Sequence, residues 1–411
     1  MTAPLQTPAP RRSAPRSPLA AARRGVATVF AAQGAAVAAV STTVPAVKER
    51  LSLSPLTMTV LVVAVALSAG VGSFAGLAVI RRLGPVATMR AAVVATAAAL
   101  LLIGRAPDQA VAAVSYGLFG MALGCIDVSA NTRAAAVERH YGRSIFASFY
   151  AAWSAAGVAA ALLTAGTAHL GLPAEYTLTA QAGLVLALAL TLRSHPLPTD
   201  PPRAVSEQGE SAALGRGLWG RLAPFGLVLL VAYVIDSTVS SWSTLYLHQT
   251  LDAALSVAPL AYAAYQVGTV TGRACADHLV RRIGPAAVIR AATLLTATAL
   301  TGMAAAPAWP YAVLCAGCAG LGVSALVPLC LASAGRLRPD ATEAVLARMN
   351  VFNYLGVLAG GAASGILGST GHFRLAHAIP AALVLAVLTT VRAFERLAAQ
   401  APSVTARTIS R

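Results

Sequence analysis

The chain has 411 residues, of which 57% are hydrophobic and only 11% are charged. A soluble domain carries about 25% charged residues, so this composition excludes an ordinary soluble globular protein. The formal net charge of +16 is typical of a protein that binds nucleic acid. The distribution of the basic residues along the chain argues against that interpretation, because it follows the pattern of a membrane protein.

Long apolar runs with few charges recur along the whole chain. Each is close to the ~20 residues that a helix needs to cross the hydrocarbon core of a bilayer. The runs do not alternate as strands do, and Ala, Leu and Gly dominate them, so we expect helices. The predicted fold class is an all-α integral membrane protein with twelve transmembrane helices. The spans are predicted at residues 25–45, 56–79, 86–104, 109–130, 144–168, 177–193, 223–247, 257–279, 285–304, 311–334, 345–368 and 375–394.

Polar stretches divide the chain into five predicted units. Residues 1–24 are rich in Pro, Ala, Ser and Arg and have no apolar face, which predicts a disordered cytoplasmic tail. Residues 25–193 form an N-terminal six-helix bundle, and residues 223–394 form a C-terminal one. Residues 194–222 are predicted to be a cytoplasmic loop between them, and residues 395–411 a second cytoplasmic tail.

Basic residues determine the predicted orientation. If the N-terminus is cytoplasmic, all but four of the 30 Lys and Arg fall in cytoplasmic loops, tails or helix ends. The exceptions are Lys48, Arg50, Arg105 and Arg374. We therefore predict a multi-pass protein of the cytoplasmic membrane with both termini in the cytoplasm. Its surroundings are membrane lipid, and no nucleic acid is expected as a partner.

The two predicted bundles share an internal repeat. Gly72 to Ala92 reads GSFAGLAVIRRLGPVATMRAA and residues 272–292 read GRACADHLVRRIGPAAVIRAA, an offset of 200 residues without a gap. Both segments join the second and third helices of a half. Such a match indicates parallel six-helix repeats related by an axis along the membrane normal. The shared positions include Arg81, Arg82, Gly84 and Arg90 in the first copy and Arg281, Arg282, Gly284 and Arg290 in the second.

Acidic residues inside spans are costly and are usually functional. Asp236 lies near the middle of the seventh span, where a carboxylate can load and release a proton; the alternative is a structural acid bonded to hydroxyl groups. Asp127 lies in the fourth span with Asn131 one turn later. Asp127 is predicted either to face an inner vestibule or bind a proton, or to pair with Arg133 or Arg90 as a structural clamp.

Polar and aromatic side chains within the spans predict a central cavity that binds a solute by stacking and a few hydrogen bonds. The alternative for each is a packing role or a place in the interfacial belt of Trp and Tyr. We expect about half of them to line the cavity. The candidates are Gln33, Thr42, Asn131, Tyr150, Trp153, Trp242, Tyr246, Gln266, Asn350, Asn353 and Tyr354.

Several sequence motifs of ATP-driven proteins and of metalloenzymes are missing from the sequence. No phosphate-binding loop is present and Lys48 is the only lysine, so direct use of ATP is not expected. No His-Glu-x-x-His pattern occurs, and we predict neither an enzyme, a metal site nor a cofactor. The five cysteines fall inside predicted spans, and Cys315-x-x-Cys318 is interpreted as two small residues at a helix interface.

Six plus six helices, a central cytoplasmic loop and the repeated hairpin together resemble the major facilitator superfamily. The hairpin is similar to that family's loop motif, roughly Gly-x-x-x-Asp-Arg-x-Gly-Arg-Arg. The second copy has an acid, Asp277, where the first has Leu77. The resemblance implies a role in conformational gating for Asp277 and for the Arg and Gly residues of both hairpins. A plain helix-end salt bridge between Asp277 and Arg281 is the alternative.

Other segments resemble the MosC/YbjJ-like branch of the superfamily. They are residues 44–51 (VPAVKERL), 127–131 (DVSAN), 137–139 (VER), 141–143 (YGR) and 242–247 (WSTLYL). We therefore expect a secondary active transporter that moves a small organic solute by alternating access, coupled to protons. The apolar composition of the spans favours export of a metabolite or antibiotic. Uptake of a sugar-like or polyol-like solute is the alternative, a non-transporting sensor is a remote one, and a monomer is expected.

Overall fold

A computed structural model describes residues 16–141, 145–192, 217–337 and 342–399, which are helical apart from short connections and contain no strand. Twelve long helices account for the bundle. They are α1 (Arg16–Arg50), α2 (Pro55–Leu83), α3 (Pro85–Arg105), α4 (Gln109–Tyr141), α5 (Phe146–His169), α6 (Ala174–Thr191), α7 (Gly217–Thr250), α8 (Leu260–Ile283), α9 (Pro285–Ala304), α10 (Trp309–Gly335), α11 (Thr342–Ser369) and α12 (Phe373–Leu385). A 3₁₀ turn, Ala386–Thr390, joins α12 to α13 (Val391–Ala399).

Most of these helices have the length and composition of a membrane span. Within the described ranges, ten helical segments are long and apolar enough to cross a bilayer, the last of them running from Phe373 to Glu395. The other two, α6 and α8, contain more polar residues; α6 packs on α3 and α1, and α8 packs on α10 and α5. Together they make the twelve transmembrane helices that the sequence predicts.

The packing of the two six-helix halves is pseudo-symmetric. In the N-terminal half α2 packs chiefly on α4, α1 on α5, and α3 on both α4 and α6. In the C-terminal half α8 packs on α10, α7 on α11, and α9 on both α10 and α12. The halves meet where α5 contacts α8, α2 contacts α11 and α1 contacts α7. The first two of these contacts are themselves related by the pseudo-symmetry.

The backbone repeats at the same offset of 200 residues as the sequence. Every residue with a positive φ in the described ranges has a counterpart 200 positions away, so the loops of both halves turn in the same way. The pairs are Ser52 and Asp252, Gly84 and Gly284, and Gly171 and Gly371. The repeat therefore extends far beyond the hairpin in which the sequence reveals it.

The repeated hairpins are built alike. Gly84, with φ 78°, ends α2 and donates its N–H to the Ile80 carbonyl at 2.8 Å, and Gly284, with φ 81°, ends α8 in the same way. Glycine tolerates this left-handed conformation, and the proline that follows begins the next helix. Arg90 donates to the Leu192 carbonyl after α6.

Arg290, the counterpart of Arg90, is paired with Glu395 after α12. Both arginines thus bind beside the last helix of their own half. We call the end of the bundle that carries Arg81, Arg82, Arg281 and Arg282 the Arg-rich end.

Three predicted boundaries are corrected by the structure. Helix α1 begins at Arg16, inside the predicted tail 1–24, because Leu19–Ala22 favour a helix and Arg23 bonds the Ser148 hydroxyl on α5 at 3.2 Å. Helix α7 begins at Gly217, inside the predicted loop. Helix α13 runs to Ala399, past the predicted end of the bundle. The rest of both predicted tails and residues 194–216 of the predicted loop lie outside the described residues.

Glycines on α4 allow α2 to approach closely, which predicts an effect on stability. A Cβ at Gly124 would lie 1.9 Å from the Ala69 carbonyl oxygen, whereas a Cβ at Gly117 on the same helix meets no atom within 4 Å. Gly124→Ala must separate the helices, so we expect a loss of roughly 1–3 kcal/mol. Gly117→Ala is the matched control and should be neutral or stabilising by up to about 1 kcal/mol. Thermal unfolding in detergent measures both variants, and equal melting temperatures would contradict the packing described.

Candidate functional site

A cavity of about 250 Å³ lies between the two halves near the middle of the bundle. Helices α1, α4 and α5 of the first half and α7, α8, α10 and α11 of the second contribute its lining. The side chains are mostly polar or aromatic. They come from Gln33, Asp127, Tyr150, Trp153, Tyr233, Asp236, Gln266, Thr269, Arg273, Ser324 and Asn353, with Ala232, Val323 and Val327.

Asp236 on α7 is the acid of the C-terminal half that faces this cavity. The Tyr265 hydroxyl on α8 donates a hydrogen bond to its carboxylate at 2.9 Å. Arg273, two turns further along α8, is close enough to attract the same carboxylate electrostatically. A carboxylate at this depth is costly unless it is paired or protonated. Asp236 therefore has both a hydrogen-bond donor and a countercharge from one neighbouring helix.

Asp127 on α4 is the acid of the N-terminal half, and its surroundings differ. The Asn131 amide donates a hydrogen bond to the Asp127 carboxylate at 3.1 Å. Gln33 on α1 lines the same cavity beside Asp127. Both partners are neutral amides. Arg90, one of the two predicted clamp partners, bonds the Leu192 carbonyl instead.

Side chains from both halves meet around the cavity. The Ser154 hydroxyl on α5 donates to the Gln266 side-chain oxygen on α8 at 3.0 Å. The guanidinium of Arg273 lies 5.9 Å from the centre of the Tyr150 ring on α5, within the range of a cation–π contact. Arg273 is thus in contact with the first half while its charge also acts on Asp236.

A second contact joins the halves at the end opposite the Arg-rich end. The His248 Nε2 at the end of α7 lies 2.6 Å from the Glu49 carboxylate at the end of α1. The other ring nitrogen, Nδ1, lies 2.8 Å from the Ala253 carbonyl oxygen. Nearby, Gly365 on α11 packs against Thr59 on α2. These contacts hold the two halves together at this end of the cavity.

Several of the predicted cavity residues line the cavity. They are Gln33, Tyr150, Trp153, Gln266 and Asn353, and the two acids Asp127 and Asp236 line it with them. Asn131 supports Asp127, and Tyr354 is 60% exposed. The side chains of Asn350 and Asp277 lie outside the described part of the structure.

Three other predicted cavity residues are placed inside one half. Thr42 bonds the Thr164 hydroxyl on α5 at 2.9 Å. Trp242 donates to the Gly361 carbonyl at 3.0 Å, and Tyr246 donates to the Met303 carbonyl at 2.6 Å. All three are buried, so their polar atoms satisfy neighbouring helices of their own half instead of facing the solute site.

Arg273 is the charged residue of the cavity that sequence reasoning missed. It belongs to the repeated segment, where its counterpart is Ser73, and it was counted among the basic residues of the cytoplasmic helix ends. The signal was present in its position. Arg273 precedes the end of α8 at Ile283 by ten residues, which places it about 15 Å into the bundle. A base at that depth is as unusual in a membrane helix as an acid is, and it indicates a functional role in the same way. Tyr233 was also missed, because a tyrosine in a span is more often an interfacial anchor.

The fold and the cavity together define a class of protein. Two pseudo-symmetric six-helix bundles with a polar site at their interface are the architecture of a secondary transporter. The sequence profile of the Major Facilitator Superfamily matches residues 25–287 and 225–408. The chain belongs to the major facilitator superfamily.

Relatives and solved structures agree with this assignment. The chain is 28% identical to the uncharacterized transporter y4wD of Sinorhizobium fredii, over 86% of this chain and 92% of that protein. It is 29% identical to the membrane protein MosC of Rhizobium meliloti, over 64% of this chain and 63% of that protein. Among solved structures, the nucleoside transporter NupG is similar with a TM-score of 0.69 and 12% identity, over 91% of this chain and 99% of that one. A D-xylose-proton symporter is similar with a TM-score of 0.66 and 14% identity, over 90% of this chain and 96% of that one.

Proposed function

We propose that the chain is a proton-coupled secondary active transporter that moves a small organic solute across the cytoplasmic membrane by alternating access. The observation that carries this proposal is that Asp236 and Arg273 line one cavity shared by both halves, where the charge of Arg273 acts on the carboxylate. A titratable acid and a countercharge at the interface supply the two components that proton coupling requires. The positive-inside distribution of Lys and Arg supports an orientation with both termini in the cytoplasm.

Asp236 is proposed to carry the proton. While Asp236 is ionised, its charge holds Arg273 on the side of the C-terminal half. Protonation removes that attraction, and the guanidinium is then free to strengthen its contact with Tyr150 of the N-terminal half. The relative position of the halves thereby depends on the protonation of one carboxylate.

Alternating access requires the contacts at the two ends of the bundle to exchange. Glu49 and His248 join the halves at the end opposite the Arg-rich end, and this contact is proposed to close that end in one state. Arg81, Arg82 and the hairpin glycines are proposed to form the corresponding gate at the Arg-rich end when the molecule reverses. Arg90 and Arg290 then keep the last helix of each half in place during the movement, because each binds within its own half.

The direction of solute transport has two candidates. Export is the first candidate, since the spans consist largely of apolar residues that suit a moderately apolar metabolite or antibiotic. Uptake of a polar, hydroxylated solute is the second candidate, and the polar lining of the cavity favours it: Gln33, Gln266, Thr269 and Asn353 all offer hydrogen bonds. The xylose symporter of similar fold transports a solute of that kind together with protons.

Vesicles of opposite orientation distinguish these directions. We expect inverted vesicles to accumulate a radiolabelled substrate when their interior is made acidic, because the protein then exchanges internal protons for the solute. Vesicles from cells without the protein are the control. Accumulation only in right-side-out vesicles, driven by an inward proton gradient, would establish uptake and contradict export. Flux that ignores the proton gradient in both orientations would contradict proton coupling.

A further inference from the structure

The charges of the cavity do not balance. Among the described residues, its lining contains two carboxylates, Asp127 and Asp236, and one guanidinium, Arg273. With all three ionised, the cavity carries one net negative charge. Because a buried charge without a partner is costly, a ligand that supplies one positive charge would be stabilised there.

The unbalanced charge belongs to Asp127. Asp236 has the Tyr265 hydroxyl and the charge of Arg273, both from α8. In the part of the chain that the structure describes, Asp127 accepts a hydrogen bond from the neutral amide of Asn131, and the neutral amide of Gln33 lines the cavity beside it. Amides orient a carboxylate but do not neutralise it, so one face of the cavity presents a fixed, uncompensated acceptor.

We propose that Asp127 binds a protonated amino group of the transported solute, so that the substrate class is a compact organic amine carrying a single positive charge. The aromatic side chains of Trp153 and Tyr233 line the same cavity, and aromatic rings attract an ammonium group. The amides of Asn131 and Gln33 hold the carboxylate in position for it. Asp127 is then a specificity residue, and Asp236 keeps the separate role of proton carrier.

This inference rests on the proposed transport function but is tested without a gradient, so that the two can fail separately. The purified full chain is mixed in detergent with matched amine and alcohol pairs, namely cyclohexylamine and cyclohexanol, tyramine and tyrosol, and glucosamine and glucose. The shift in melting temperature is measured against concentration at neutral pH. We expect at least one amine to stabilise the protein while its alcohol does not.

The variants then assign the effect to Asp127. Asp127→Asn removes a charge-assisted hydrogen bond and should weaken the amine's apparent affinity by about tenfold to a hundredfold. Asp127→Glu keeps the carboxylate and should retain the preference for the amine. Asp108→Asn, at an exposed acid that caps the start of α4, is the matched control and should bind like the wild type.

Three outcomes would overturn the inference. They are stabilisation of the wild type by no amine in the panel, equal stabilisation by an amine and its alcohol, and amine binding that survives Asp127→Asn. The first two outcomes are measured on the wild-type protein, so the inference can be tested even when Asp127→Asn does not fold. Failure of proton coupling in vesicles would instead contradict the proposed function, while the binding preference would still stand.

Discussion

Asp236→Asn is expected to abolish the response of transport to an imposed proton gradient. Asparagine has nearly the same shape and can still accept a hydrogen bond from Tyr265, but it cannot bind and release a proton. Arg273 also loses its countercharge, so the variant resembles the permanently protonated state. We expect downhill exchange of substrate to continue, while accumulation against a gradient falls to the level of vesicles without the protein.

The readout is the ratio of accumulated to external substrate in vesicles with and without a pH difference. Asp108→Asn makes the same chemical change outside the cavity and should leave that ratio unaltered. Full accumulation by Asp236→Asn, with an unchanged dependence on pH, would contradict the role of Asp236 as the proton carrier. Asp236→Glu should retain part of the coupling, because it keeps the titratable group.

Arg273→Gln is expected to reduce transport more severely than any other single substitution at the interface of the halves. It leaves Asp236 without the countercharge that acts on it, and an ionised carboxylate inside the bundle is costly without one. It also removes the contact with Tyr150 on α5. We expect a large loss of transport together with a lower melting temperature.

A double variant separates these two effects. Asp236→Asn combined with Arg273→Gln contains neither charge, so it should recover most of the lost thermal stability while transport stays uncoupled. Arg105→Gln makes the same substitution at an exposed arginine that ends α3, outside the cavity. This control should have the stability and transport of the wild type. An Arg273→Gln protein with normal stability and normal accumulation would show that Arg273 does not serve Asp236.

Much of the fold could be predicted from the sequence because its signals are local. Apolar runs of the length of a span locate the helices, and the gapless hairpin repeat indicates the relation between the halves. Composition does not locate the ends of a helix where tertiary packing extends the helix into a polar region. Arg23 lies in a region whose composition indicates a tail, but it is held by Ser148 and by the ring of Tyr141. Such a contact joins residues more than a hundred positions apart and leaves no local signal.

The candidate site could be predicted only in part, for a related reason. Acids in the middle of spans are rare and were recognised directly, as Asp127 and Asp236 were. Which helix faces they occupy, and which partners they have, depends on tertiary packing. Trp242 has the composition of a cavity residue, but its indole N–H is bonded within its own half at Gly361. The unequal surroundings of the two acids, on which the proposed division of roles depends, are visible only in the folded chain.

The central claim is that the halves move as two bodies about the cavity, and distances between spin labels test it most directly. One pair is placed at the exposed residues Leu83 and Ile283 at the Arg-rich end, and the other at Leu170 and Thr370 at the opposite end. The native cysteines are first replaced by serine or alanine. Double electron–electron resonance on proteoliposomes at acidic and alkaline pH should show one distance growing while the other shrinks. Distances that stay constant, or that change in the same direction at both ends, would contradict alternating access.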